Sequence, residues 1–119
     1  MAILSVSQLN RYVGFKLKED HALNGILVRG ELSNFTNHIR SGHFYFTLKD
    51  AESSVKAVMF RNLAQRVRFV PKDGMNVIVA ATASLFERDG AFQLYVTDMQ
   101  PDGAGAQLSL IHISEPTRH

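Results

Sequence analysis

The stretch HFYFTLK, residues 43–49, decides the fold, because apolar and polar residues alternate along its whole length. Successive side chains of a β-strand point to opposite faces of a sheet, so a period of two predicts a strand. The inward side chains would be Phe44, Phe46 and Leu48, and the outward ones His43, Tyr45, Thr47 and Lys49.

Similar patterns predict four further strands on either side of this one, over residues 23–35, 54–60, 75–86 and 91–99. Gly30 lies inside the first of them and suggests a bulge or a sharp bend. The strand over 75–86 is nearly continuous in apolar and small residues, as in a strand buried on both faces. An Asp89-Gly90 pair precedes the last strand and favours a tight hairpin.

Two segments are predicted to be helical. Ser5 followed by Gln8 is a capping-box pattern that marks a helix start. The apolar residues of this first helix recur at helical spacing and must be buried somewhere: Leu9, Val13 and Leu17. A second, shorter helix is predicted from residue 61 to about 69, where the Pro and Gly of residues 71–74 end it.

The order of helix, three strands, short helix and two strands is the plan of an OB-fold barrel. We therefore expect a mainly β domain of five antiparallel strands, with an N-terminal helix and a short helix between strands three and four. OB-folds bind oligonucleotides or oligosaccharides on the face of strands two and three. A small SH3-like barrel is the alternative, but it would not need the second helix.

The predicted organisation is a helical segment over residues 1–22 that packs on the barrel, the OB-fold over 23–102, and a linker and tail over 103–119. With no cysteine in 119 residues, neither a disulfide framework nor a thiolate metal site can form. The chain has no membrane-spanning run and no signal-peptide pattern, so we expect a cytoplasmic protein that does not contact membranes.

Basic residues are concentrated between residues 40 and 72, where seven Lys and Arg stand against two acidic residues. The net charge of the chain is only +2, so charge alone fits a nucleic-acid surface and an ordinary solvated surface equally well.

The candidate binding face consists of the outward positions of strands two and three: His43, Tyr45, Thr47, Lys49, Lys56, Val58 and Phe60. Aromatic rings stack on bases and cations follow phosphates, which is what a single strand requires. Arginines in strand one and in the two loops that flank this face would rim the groove: Arg29, Arg40 and Arg88. Neighbouring polar side chains could add contacts: Asn34, Asn37 and Ser41.

Purely structural roles are open for several of these residues. Tyr45 and Phe60 could instead be a packing pair beneath the N-terminal helix. Phe35 could belong to the barrel core, His38 could be an ordinary loop residue, and the lysines could serve only solubility.

No catalytic residue, metal site or cofactor is predicted. The carboxylates fall mostly in turns and at strand ends, and the five histidines form no ligand motif. The glycine-rich residues 101–106 follow the last strand and are typical of a linker rather than a phosphate-binding loop.

Six phrases carry a resemblance to a known family: residues 5–12, 28–35, 41–50, 58–61, 73–75 and 95–101. In this order they resemble the N-terminal region of the large subunit of bacterial exodeoxyribonuclease VII, over roughly residues 4–106. The resemblance implies an OB-fold that binds single-stranded DNA and passes it to a nuclease domain further along the chain.

The resemblance also implies a partner, because the large subunit of that family joins several small subunits. Together they degrade single-stranded DNA from either end to oligonucleotides without requiring a divalent metal. The catalytic region would lie beyond this chain, so no catalytic residue carries over. The residues expected to touch DNA are Arg29, Ser33, Asn34, Phe35, the Ser41-Gly42-His43 loop and Tyr45.

Two other functions remain open: an OB-fold that contacts protein, and an RNA-binding OB domain of the anticodon type. Residues 107–119 depart from the family pattern and resemble read-through of vector or adaptor DNA, the alternative being an unusual native tail. In either case they contain too few apolar residues to fold alone.

Overall fold

The computed structural model describes residues 2–103. In chain order the elements are α1 (Val6–Glu19), a single 3-10 turn (His21–Leu23), β1 (Ile26–Asn37), β2 (Phe44–Lys49), β3 (Ser54–Met59), α2 (Arg61–Ala64), β4 (Asn76–Phe86) and β5 (Ala91–Pro101). The tail prediction for residues 107–119 lies outside the described residues, and the proposed domain boundaries stay a prediction. No helix in the described part of the chain is long and apolar enough to cross a membrane.

The five strands close into a barrel in the order β1-β2-β3-β5-β4, which confirms the mainly β fold. Four of the pairings are antiparallel, but β3 and β5 run parallel through Lys56–Gln93, Ala57–Leu94 and Val58–Tyr95. The prediction of a wholly antiparallel barrel was therefore wrong at this pairing. The reason lies in the connection: α2 and β4 intervene between β3 and β5, and a crossover of that length allows parallel strands.

The core fills the barrel with inward side chains, of which the alternation predicted Phe46 and Leu48. Leu32, Phe46, Leu48 and Leu94 are buried together, and Val77, Val79, Ala81 and Ala83 line the inner side of β4. The outer side of β4 is only half-buried, so this strand is not covered on both faces as predicted.

The irregularity in β1 lies at Asn34 and not at Gly30. Gly30 stays in regular register with Val77, whereas the pairing of β1 with β2 shifts between Ser33 and Thr36. A Cβ atom at Gly30 would stand 2.7 Å from Leu48 Cγ. The glycine therefore allows β1 and β2 to approach each other closely. Asn34, with φ of 52°, takes the left-handed conformation that the bulge requires.

Helix α1 begins with the predicted capping box, in which Ser5 and Gln8 bond to each other's backbone N–H. It rests on the end of β4 through Gly14, which lies against Leu85 and Glu87, and Asn10 Nδ2 donates to the Glu87 carbonyl at 2.8 Å. The expectation that its apolar stripe would be buried was wrong for Leu9 and Val13, which remain exposed.

Helix α2 is shorter than predicted, because it ends at Ala64 rather than near residue 69. Residues 65–70 leave the helix in turns, yet Val67 and Phe69 still pack against the core. These apolar side chains are therefore packed against the core, although the backbone of residues 65–70 is not helical.

Candidate functional site

The outer surface of the barrel carries two neighbouring rows of side chains that cross the strands. Register places one row along Thr36, Tyr45, Val58, Tyr95 and Thr82, and the next along Ser33, Thr47, Lys56, Gln93 and Ser84. The first row is aromatic at its centre and the second is polar throughout. Because β3 and β5 are neighbours, the predicted face of two strands extends across a third.

A groove of about 720 Å³ lies over these rows. Five residues of the predicted face line it, namely Tyr45, Thr47, Lys56, Val58 and Phe60, together with Asn34, which was predicted as a neighbouring contact. The rest of the lining is Phe46, Ala57, Phe86, Gln93 and Tyr95. Lys56 is the one charged residue in this lining, and no carboxylate is part of it. The groove is therefore apolar and positively charged, with polar atoms along one side.

The aromatic rings of the groove are connected to one another. The Phe60 ring lies 5.6 Å from the Tyr95 ring and 5.1 Å from the His43 ring, and His43 lies 6.2 Å from Tyr45. Tyr45 and Phe60 nevertheless stay 43% and 42% exposed. Rings that contact one another at an angle and stay partly open to solvent can accept a flat ligand.

His43 also holds the loop between β1 and β2 against α2. Its Nδ1 accepts the Arg61 backbone N–H at 3.0 Å, and its own backbone N–H donates to Ser41 Oγ at 3.2 Å. Ser41 Oγ in turn lies 2.8 Å from His38 Nδ1. This arrangement gives His43 and Ser41, both predicted as contacts, a positioning role at the end of the groove.

The structure bears on two interpretations of the outer face. Val58 lies in the outer row, as the alternation predicted, but it is only 7% exposed and lies in the lining of the groove. The packing of Tyr45 and Phe60 beneath the N-terminal helix is wrong, because α1 rests on β4.

Phe35 packs inward rather than lining the groove. Its ring lies 5.0 Å from Phe44 and 6.0 Å from Phe46, and it joins the barrel core. Its backbone N–H donates to Asp73 Oδ1 at 2.8 Å. The core interpretation of Phe35 fits this position, and Asn34 beside it faces the groove instead.

The predicted cations are not gathered in one place. Arg29 lies on the outer side of β1, where its Nε is 2.9 Å from Asp102 Oδ2. Arg29 and Lys49 border a separate cleft at one end of the barrel. Arg40 lies in the exposed loop between β1 and β2, and Arg88 lies in the exposed hairpin turn between β4 and β5.

Sequence reasoning missed Phe86, Gln93 and Tyr95 as parts of the groove. In the sequence Gln93 and Tyr95 alternate with Phe92, Leu94 and Val96, so they share one side of β5. The missing information was the parallel pairing that brings β5 beside β3. Within residues 2–103, no three His, Asp or Glu side chains gather in a way that could hold a metal ion.

A family model described as an OB-fold nucleic acid binding domain matches residues 4–100. The exodeoxyribonuclease 7 large subunit of Brevibacillus brevis is 55% identical over 104 residues, which cover 87% of this chain and 22% of that protein. The protein of the same name from Desulfitobacterium hafniense is 51% identical, with 87% and 26% covered. These matches confirm the resemblance seen in the sequence, and the chain spans about a quarter of the length of these relatives.

Solved structures share the architecture at low sequence identity. One is a chain of a replication protein A heterotrimer bound to single-stranded DNA, with a TM-score of 0.55, 10% identity, and 82% of this chain and 76% of that chain covered. Another is asparaginyl-tRNA synthetase from Entamoeba histolytica, with a TM-score of 0.56, 12% identity, and 80% and 24% covered. At such identities the likeness shows the fold alone.

Proposed function

Because the chain belongs to the OB-fold nucleic acid binding domain family, we propose that it captures single-stranded DNA as the binding domain of an exodeoxyribonuclease VII large subunit. The observation that carries this proposal is the connected aromatic groove over β2, β3 and β5, with Lys56 and no carboxylate in its lining. Every base has a π-face, so stacking on these rings would tolerate any sequence.

The groove supports binding of a single strand in particular. In a duplex the bases are stacked on one another and paired, so their faces are not available to Tyr45, Phe60 or Tyr95. An unpaired strand can present its bases to these rings while its phosphates pass Lys56 and the polar row beside it. Each base that stacks on an aromatic side chain contributes about 1–3 kcal/mol.

The names of the relatives support the role of the parent protein. In this proposal the bound strand passes to a nuclease region elsewhere in the parent polypeptide, and exodeoxyribonuclease VII small subunits complete the enzyme in the cytoplasm. The domain itself contributes capture and no catalytic group. In this proposal the domain is a binding module attached to a hydrolase.

The test is fluorescence anisotropy of a labelled oligothymidylate titrated with this chain at low and moderate salt. We expect binding that weakens as salt rises, because phosphate neutralisation releases counterions. Tyr45→Ala should weaken binding about fivefold or more, which corresponds to the loss of one stacked base. The matched control is Tyr12→Ala, since Tyr12 is 56% exposed on α1 and does not line the groove.

Competition by unlabelled nucleic acids distinguishes the proposed function from the RNA-binding and protein-contact alternatives. Unlabelled duplex DNA should compete poorly, and RNA of equal length should compete less well than DNA. Equal competition by RNA would favour the RNA-binding alternative. If no oligonucleotide binds at low salt and the chain associates with itself, the protein-contact alternative is favoured and the proposal fails.

A further inference from the structure

A second cleft opens at one end of the barrel, separate from the groove. It has a volume of about 240 Å³, and Val28, Leu48 and Val55 form its apolar floor. Phe92, Arg29 and Lys49 stand at its border. Like the groove, this border combines aromatic and positively charged side chains, here one aromatic ring and two cations.

Phe92 is a large apolar side chain that the fold leaves 53% exposed. It lies opposite Leu85, near the start of β5, where the barrel wall ends. Along the strand Phe92 alternates in step with Leu94 and Val96, which are buried. Its position at the end of the barrel instead turns the ring towards solvent, beside the two cations.

The cleft and the groove are separate, but their linings come close to each other on two strands. On β2, Thr47 lines the groove and Lys49 lines the cleft; on β5, Gln93 lines the groove and Phe92, the residue before it, lines the cleft. Two residues along a strand cover about 6.6 Å. A ligand that fills the groove thus needs only a short extension to reach the cleft.

Charge in the cleft favours an anion. Arg29 and Lys49 bring two positive charges, and Asp50 brings one negative charge whose Oδ1 already accepts the backbone N–H groups of Glu52 and Ser53. In its pair with Asp102 the Arg29 side chain is 73% exposed and the Asp102 side chain is half-buried, and ion pairs at the surface contribute only about 0–1 kcal/mol. Arg29 can therefore exchange Asp102 for a phosphate at little cost.

We propose that this cleft is a second subsite for the same single strand, in which Phe92 stacks on one base while Lys49 and Arg29 hold the flanking phosphates. The inference rests on the proposed function and extends it. Only a strand that is long enough to extend beyond the groove can reach Phe92. The strand would pass from the face of β2, β3 and β5 over the end of the barrel.

The test compares oligothymidylates of about 5 and about 15 nucleotides, which span the usual range of OB-fold site sizes. Phe92→Ala should weaken binding of the long oligonucleotide about fivefold or more and leave the short one within about twofold. Phe92→Leu keeps the apolar contact with the barrel end and should give the same loss. Lys49→Gln should lower the salt slope by about 0.7 for the long oligonucleotide only.

The outcomes distinguish the two proposals. Losses that are equal for both lengths, or no loss for the long oligonucleotide, overturn the second subsite and leave the groove proposal in place. If the unsubstituted chain binds neither length, the proposed function fails and this subsite with it. Tyr45→Ala should weaken binding of both the short and the long oligonucleotide, which marks the groove as the common site. Tyr12→Ala should weaken binding of neither.

Discussion

The rings of Phe60 and Tyr95 lie 5.6 Å apart with an interplanar angle of 50°, and they join the end of β3 to the middle of β5. Phe60 follows directly after β3 and is the N-cap residue of α2, so its ring lies at the point where the chain leaves the barrel wall. Tyr95 stands beside Val58 in the parallel pairing. The contact makes β5 a part of the wall of the groove.

Tyr95→Ala should weaken single-stranded DNA binding by about 1–3 kcal/mol, which is roughly fivefold to 150-fold. The physical reason is the loss of one stacking platform in the centre of the groove. Anisotropy titration at fixed salt measures the change. Tyr95→Phe retains the ring and should bind within about twofold of the parent chain; a loss as large as that of the alanine variant would speak against stacking.

Asn34→Val should lower the free energy of unfolding by about 1–2 kcal/mol, because a β-branched residue is poorly suited to the left-handed conformation at φ of 52°. Urea denaturation measures the effect. Asn34→Gly is the control, since glycine adopts this conformation without strain and should leave stability nearly unchanged. Equal stability of the two variants would contradict the assignment of the bulge to this backbone angle.

Gly30→Ala should destabilise the barrel by about 1–3 kcal/mol, because the added Cβ would stand 2.7 Å from Leu48 Cγ and 3.1 Å from the Lys49 carbonyl oxygen. Gly14→Ala in α1 is the matched control. Its Cβ would meet the flexible Glu87 side chain at 3.4 Å, and alanine favours a helix over glycine by about 1 kcal/mol. Urea midpoints should therefore move in opposite directions for the two substitutions.

Asp50 should make the stability of the chain depend on pH in the acid range. The backbone N–H groups of Glu52 and Ser53, each 2.8 Å from Oδ1, hold the pKa of Asp50 below its ordinary value of 3.8. A lowered folded-state pKa means that the ionised form stabilises the fold above the unfolded-state pKa. This contribution is lost as the pH falls through the folded-state pKa.

Asp50→Asn should therefore be less stable than the parent chain at neutral pH and should lose less stability on acidification. Urea unfolding from pH 7 down to about pH 3 checks this expectation. Glu52→Gln is the control, because no hydrogen bond of the Glu52 side chain is seen in the described part of the chain. If both variants follow the same acid profile, the turn at Asp50 is not the source of the effect.

Features that depend on neighbouring residues could be predicted from the sequence. The capping box of Ser5 and Gln8 and the inward side chains Phe46 and Leu48 follow from spacing along one segment. The outward positions of Tyr45 and Lys56 follow from the same alternation, and both line the groove. Local spacing therefore predicted the strands and half of the binding face.

Features that depend on which strands become neighbours could not be predicted in this way. The alternation separates Tyr95 from Leu94 and Val96, but only the pairing of β3 with β5 places it beside Val58. Arg29 was expected to rim the groove, yet the position of its strand on the far side of β2 brings it to the end of the barrel. The packing of α1 through Gly14 had no sequence signal, because a glycine there predicts only a weaker helix.

The closed strand order β1-β2-β3-β5-β4 also has a consequence for how the chain reaches its fold during synthesis. Since β5 completes both β3 and β4, a nascent chain that ends before it leaves two strand edges open to other chains. The barrel can close only after Pro101 has left the ribosome, and the non-local pairing makes closure slow in comparison with helix formation. The last strand to be made is therefore the one on which protection from aggregation depends.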